Sequence, residues 1–99
     1  MEIAKKFLIS GVVQGVGYRF FAERVAGQHG VRGYVKNLRD GRVEVYAIGA
    51  PDQLARFRDD LARGPRAARV GEVREVEAEV LPEFRNGFFI TGDYYLWTN

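Results

Sequence analysis

Ninety-nine residues, 46% hydrophobic and 28% charged, make a globular domain with a single core and leave no case for disorder, collagen-like repeats or a coiled coil. No cysteine is present, so disulfides, thiol nucleophiles and Cys-built zinc or iron–sulfur sites are excluded. A single histidine excludes a His-rich metal site and any Ser-His-Asp triad without His29 as base, and a net charge of +2 is a weak basis for binding nucleic acid.

The first strand is predicted over residues 3–10, with Ile3, Lys5, Phe7 and Ile9 on one side and Ala4, Lys6, Leu8 and Ser10 on the other. Its apolar run is far shorter than the ~20 residues of a spanning helix. No secretory leader pattern is visible either, so a soluble, cytoplasmic protein with no membrane partner is expected. Residues 11–17 are too glycine-rich for a regular element. From Tyr18 the period becomes helical, with Phe21, Ala22 and Val25 completing an apolar stripe and Gly30 placed to end the helix. Alternation returns over Val31 to Asn37, with Val31, Gly33 and Val35 facing one way and Arg32, Tyr34 and Lys36 the other. Asp40-Gly41 is a tight-turn signal, and Val43, Val45 and Ala47 read as the return strand of a hairpin.

Pro51 suits the first turn of a second helix, where the negative charge of Asp52 is favourable. Leu54, Phe57 and Leu61 supply its apolar stripe, and Gly64-Pro65 stops it. A basic loop containing Arg66 and Arg69 follows. Val76, Ala78 and Val80 then alternate with Glu75, Glu77 and Glu79, while Val73 is out of phase and predicts a bulge or bend near Arg74. Phe88-Phe89-Ile90 is a short last strand, and residues 92–99 form a tail. The order βαββαβ is that of an α+β, ferredoxin-like sandwich, a mainly antiparallel sheet with two helices on one face. One domain over residues 1–99 is expected, without an internal linker.

The chemistry points to Gln14-Gly15-Val16-Gly17-Tyr18-Arg19, between the first strand and the first helix. Two glycines let the backbone turn tightly, and the loop leads into a helix N-terminus where unpaired amides and the positive dipole end favour an anion. Arg19 adds a planar fork able to pair two phosphate oxygens. The whole segment is read as phosphate-binding. A plain glycine turn beside a solvated arginine accounts for the same spacing. Asn37, just before Leu38-Arg39-Asp40-Gly41, suits either a site role or turn stabilisation by its side chain. His29 fits the favourable charge of a helix C-terminus better than catalysis. Glu75, Glu77 and Glu79 read as the solvated face of a strand. Tyr94, Tyr95 and Trp97 suit a partner surface or the cover of a core edge.

Ile9-Ser10-Gly11-Val12-Val13-Gln14-Gly15-Val16-Gly17-Tyr18-Arg19 resembles the signature of the acylphosphatase family, built on a V-Q-G-V-x-F-R run. A second signature of that family resembles Gly33-Tyr34-Val35-Lys36-Asn37, followed by Gly41, Val43 and Gly49. The resemblance extends to about Ile90. It departs at Tyr18, where phenylalanine is usual, and at Gly17, where larger residues are common. It implies hydrolysis of a small-molecule acyl phosphate to a carboxylate and inorganic phosphate, with phosphate also a competitive ligand. The loop backbone and the catalytic Arg19 would hold the phosphoryl oxygens, and the catalytic Asn37 would orient the attacking water. It implies no metal and no other cofactor, and a monomer suffices.

Two other readings compete. RNA-recognition modules share this element order, and Arg32-Gly33-Tyr34-Val35 echoes part of their motif, but the aromatic positions needed for base stacking do not follow. Acylphosphatase-like domains also occur at the front of hydrogenase-maturation carbamoyltransferases. Those often have proline where this chain has Phe20, so a free-standing enzyme that binds no nucleic acid is expected.

Overall fold

A computed structural model describes residues 1–92; the aromatic residues Tyr94, Tyr95 and Trp97 of the expected tail lie outside them. The elements run β1 (Ile3–Val12), α1 (Tyr18–His29), β2 (Arg32–Asn37), β3 (Val43–Gly49), α2 (Pro51–Arg63), β4 (Arg69–Ala78), a 3-10 turn (Pro82–Phe84) and β5 (Phe88–Ile90). They form a five-stranded sheet in the order β4-β1-β3-β2-β5. Every neighbouring pair is antiparallel except β2 and β5, which run parallel. The expected ferredoxin-like α+β architecture is therefore present.

Period-two alternation sorts the strands onto two faces. Phe7, Ile9, Val35, Val43, Val45 and Ala47 turn toward the helices, where Tyr18, Ala22 and Val25 of α1 and Leu54, Phe57 and Leu61 of α2 meet them. Phe57 stands edge-on to Phe7 and Phe88, with ring centroids 6.2 and 6.1 Å away. Truncating such a buried ring to alanine costs about 3–5 kcal/mol. Gly30 ends α1 in the left-handed conformation, φ 69°, and its N–H bonds to the carbonyls of Ala26 and Gly27.

The other face is covered as well. Ala4, Tyr34, Tyr46 and Ile48 are buried there, and Val80, Leu81 and Phe84 lie across them. The Tyr46 hydroxyl donates to the Glu79 carbonyl at 2.6 Å and accepts the Leu81 N–H at 2.8 Å. The segment between β4 and β5 thus crosses the sheet on a polar handle held inside an aromatic stack.

The bulge predicted near Arg74 lies earlier. Ser10 opposes Glu72 and Gly11 opposes Val70, which leaves Gly71 unopposed, while pairing from Glu72 to Ala78 is unbroken. Arg69, expected in a loop, already belongs to β4. Gly11 explains the position: at φ 123° an added Cβ would meet the Arg69 carbonyl oxygen at 2.1 Å. Val73 and Val76 simply fall on opposite faces of an edge strand, Val73 against the core and Val76 exposed.

Candidate active site

β1 ends at Val12, and the buried Val13 anchors the chain as it leaves the sheet. The Gln14 side chain then reaches across to the β2–β3 turn, its amide donating to the carbonyls of Leu38 at 2.8 Å and Arg42 at 2.9 Å. This staple fastens the glycine loop beside the end of β2. Gly15 and Gly17 take positive φ angles of 75° and 80°, and a Cβ on either would meet nothing within 4 Å. Backbone conformation, rather than crowding, is what calls for glycine at both. Val16 turns its side chain toward the core.

α1 starts directly from this loop with Gly17 as N-cap. Its first intrahelical bond runs from the Phe21 N–H to the Gly17 carbonyl at 3.1 Å. The preceding amides of Tyr18, Arg19 and Phe20 have no helical acceptor. Among the described residues no side chain caps this end, and no acidic residue occupies the first turn. The positive end of the helix dipole is left facing outward.

A cavity of about 100 Å³ opens there, lined by Val13, Gly15, Gly17, Tyr18, Arg19, Phe20 and Asn37. Arg19 and Asn37, 18 positions apart in the sequence, therefore share one concavity. The Arg19 guanidinium donates through Nη1 to the Thr91 carbonyl at 3.1 Å. Thr91 is itself fixed to β2, its N–H and hydroxyl both donating to the Val35 carbonyl, at 3.0 and 3.2 Å. Asn37 is buried as the last residue of β2, opposite Val43. The turn after it is closed by the Leu38 N–H to the Arg42 carbonyl, 2.8 Å, and by Asp40, whose carboxylate accepts the Arg42 N–H at 3.0 Å. That bond, and next the Arg42 guanidinium, hold the Asp40 carboxyl below its usual range.

Tyr18 has a partner for its extra hydroxyl. It donates to the Leu61 carbonyl at 2.6 Å in the last turn of α2, and burial pushes its phenol well up. Four residues after Leu61 stands Pro65, which has no N–H to offer that carbonyl. The tyrosine meets a need that the α2 terminus creates.

Of the expected phosphate-binding residues, Gly15, Gly17, Tyr18 and Arg19 line the cavity, whereas the side chains of Gln14 and Val16 are engaged elsewhere. Val13, Phe20 and Thr91 were not foreseen. Phe20 had a signal, a phenylalanine outside the apolar stripe and next to Arg19; Thr91, 72 positions from Arg19, had none. His29 bonds to Asp60 of α2 at 2.6 Å, away from the cavity. Glu75 pairs with Lys5 and, at 3.4 Å, with Arg58. Among the described residues no three His, Cys, Asp or Glu side chains group closely enough to hold a metal ion, and no helix is long and apolar enough to cross a membrane.

Comparison with known proteins decides the family of the chain. The family model Acylphosphatase matches residues 5–90. The chain belongs to the acylphosphatase family. It is 51% identical over 77 residues to an acylphosphatase of Solibacter usitatus, covering 78% of this chain and 80% of the relative. With an acylphosphatase of Pasteurella multocida the identity is 48% over 82 residues, 83% of this chain and 91% of the other. The crystal structure of acylphosphatase from Bacillus subtilis superposes with a TM-score of 0.85 at 32% identity, covering 93% of this chain and 100% of that one. Full-length HypF superposes with a TM-score of 0.82 at 25% identity, but only 12% of its chain is covered. Membership of the family makes this an acylphosphatase, a hydrolase of small-molecule acyl phosphates, as the two motifs implied.

Proposed function

We propose that the enzyme binds the phosphoryl group of an acyl phosphate in this cavity and cleaves it by water. The amides of Gly15 to Arg19 and the Arg19 guanidinium hold the phosphoryl oxygens, and Asn37 orients the attacking water. The observation that carries this division of labour is the meeting of Arg19 and Asn37 in one cavity beneath an uncapped helix start. The water oxygen bonds to phosphorus as the phosphorus–oxygen bond to the acyl group breaks. The carboxylate leaves with the bonding electron pair, and a phosphoryl oxygen takes the water's proton. Phosphoryl transfer of this kind needs chiefly positioning and charge stabilisation, so neither a protein base nor a metal is required.

Inorganic phosphate, one product, returns as a competitive ligand. One copy of the chain acts as a single domain over residues 1–99 and works in the cytoplasm without nucleic acid. Burial of Tyr34 and Tyr46 beneath Phe84, rather than presentation for base stacking, supports the last point.

The test is release of phosphate from benzoyl phosphate in the presence of a metal chelator. Chelator-resistant hydrolysis, inhibited competitively by inorganic phosphate, is expected. Activity abolished by the chelator would replace the mechanism with a metal-dependent one. Absence of hydrolysis together with salt-sensitive RNA binding would favour the rival module.

A further inference from the structure

Among the described residues Phe20 is the most exposed aromatic side chain, with 71% of its surface open to solvent. The core does not need it there. The residues of α1 that are buried are Tyr18, Ala22, Val25 and Ala26, and Phe20 stands two positions, about 200° of helical rotation, from Tyr18. A lone exposed apolar residue needs no explanation of its own. This one, however, lines the same cavity as Arg19 and Asn37.

Helical geometry explains how it gets there. Side chains on a helix lean toward its N-terminus, and Phe20 is the third residue of α1. Its ring is therefore directed back over the loop in which the phosphoryl group sits. The opposite wall supplies no comparable apolar surface, because Gly15 and Gly17 have no side chains. Val13 and Tyr18, the other apolar side chains of the lining, are buried. Of the apolar side chains that line the cavity, Phe20 is the exposed one, and it is the one an acyl group extending into solvent can meet.

We propose that Phe20 is the acyl-side platform of the enzyme, and that it favours aryl and other bulky apolar acyl phosphates over acetyl phosphate. The inference rests on the phosphoryl group occupying the cavity as described above. An aromatic acyl group can place its ring against the Phe20 ring in an offset or edge-on contact, whereas an acetyl group presents one methyl. Because contact is made in the ground state and the transition state alike, its removal should act on KM more than on kcat.

Kinetics with benzoyl phosphate and acetyl phosphate, for the wild-type enzyme, Phe20→Ala and Phe20→Tyr, decide the matter. The wild type should prefer benzoyl phosphate. Phe20→Ala should lower the ratio of kcat/KM for benzoyl over acetyl phosphate by about five- to tenfold, chiefly by raising the KM for benzoyl phosphate. Phe20→Tyr should restore most of the preference. Thermal melting of the variants guards against a folding defect. A ratio left unchanged by Phe20→Ala, whether both substrates suffer equally or neither does, overturns the platform. A wild type inert toward both substrates overturns the hydrolytic site itself, and the platform with it.

Discussion

α2 begins with part of its own chemistry supplied. Pro51 has no N–H to satisfy, Asp52 places a negative charge in the first turn, and the Gln53 side chain accepts the Ala50 N–H at 2.7 Å. α1 begins with none of these: glycine precedes it, its first turn carries no acid, and among the described residues no side chain caps it. The two helices face the same physical demand at their starts, since each leaves donors unpaired and a partial positive charge exposed. One answers it with residues of its own. The other leaves the demand open at the cavity shared by Arg19 and Asn37, where the proposed phosphoryl group would answer it. Such an opening has a cost, since a missing cap is worth about 1 kcal/mol of stability. The comparison teaches that the binding site is made partly by what the sequence withholds.

Removing the charge that completes the open start should break the contrast most severely. Arg19→Gln keeps length and some donors but loses the guanidinium fork. A loss of about 10²- to 10³-fold in kcat/KM is expected, with inhibition by inorganic phosphate weakened in parallel. On the proposed mechanism, Asn37→Ala should leave the anion site intact and release the water. Here kcat should fall by about 10²-fold while the inhibition constant for phosphate changes little. Turnover undiminished in both variants would sink the assigned roles.

A milder change places a side chain at the open start. Gly17 stands at φ 80° with open space where a Cβ would go, so Asp and Asn, which tolerate this conformation, both fit at a cost of about 1 kcal/mol. A capping side chain needs an extended backbone, which this left-handed position does not have, so neither recovers that cost and melting temperatures should fall by a similar few degrees in both. The Asp variant adds a charge that competes with the ligand. Two like charges about 5 Å apart repel by a few kcal/mol at an effective dielectric near 20. After solvent screening, phosphate inhibition should be about tenfold weaker in Gly17→Asp than in Gly17→Asn. Equal inhibition in the two variants would show that the loop does not face the anion.

How much of this was legible beforehand follows the range of the interactions. Both helical stripes, the Asp40-Gly41 hairpin and the glycine stop at Gly30 depend on neighbours within a few residues, and the sequence displays them directly. The convergence of Gly17, Arg19 and Asn37 was legible through the two family motifs, not through local pattern. Tyr34 looked like a polar-face residue because its cover, Leu81 and Phe84, comes from nearly fifty positions away and crosses the sheet only on the way to β5. The bulge was placed by a break in valine phasing, but an edge strand can carry valines on both faces; the backbone clash at Gly11 fixes the irregularity instead. Thr91 holds Arg19 by a main-chain carbonyl, and a backbone acceptor has no signature in residue type.

The closed start should yield a stability effect without a kinetic one. Gln53 does two jobs, accepting the Ala50 N–H through Oε1 and donating through Nε2 to the His29 carbonyl at 3.0 Å, which ties the end of α1 to the beginning of α2. Gln53→Ala removes both bonds and leaves a part-buried carbonyl and an amide to find water. The expected cost is about 1–2 kcal/mol, since each bond is worth about 0.5–1.5 kcal/mol net. For a domain of this size that lowers Tm by roughly 4–8 °C per kcal/mol. The bond lies at the far end of α1 from the cavity, a separation of about 17 Å along a twelve-residue helix. kcat, KM and phosphate inhibition should therefore match wild type at temperatures well below melting. Were Gln53→Ala instead to weaken phosphate binding as Gly17→Asp does, the two helix starts would be coupled through α1. The open end would then owe its affinity to the rigidity of the whole helix rather than to its own unpaired amides.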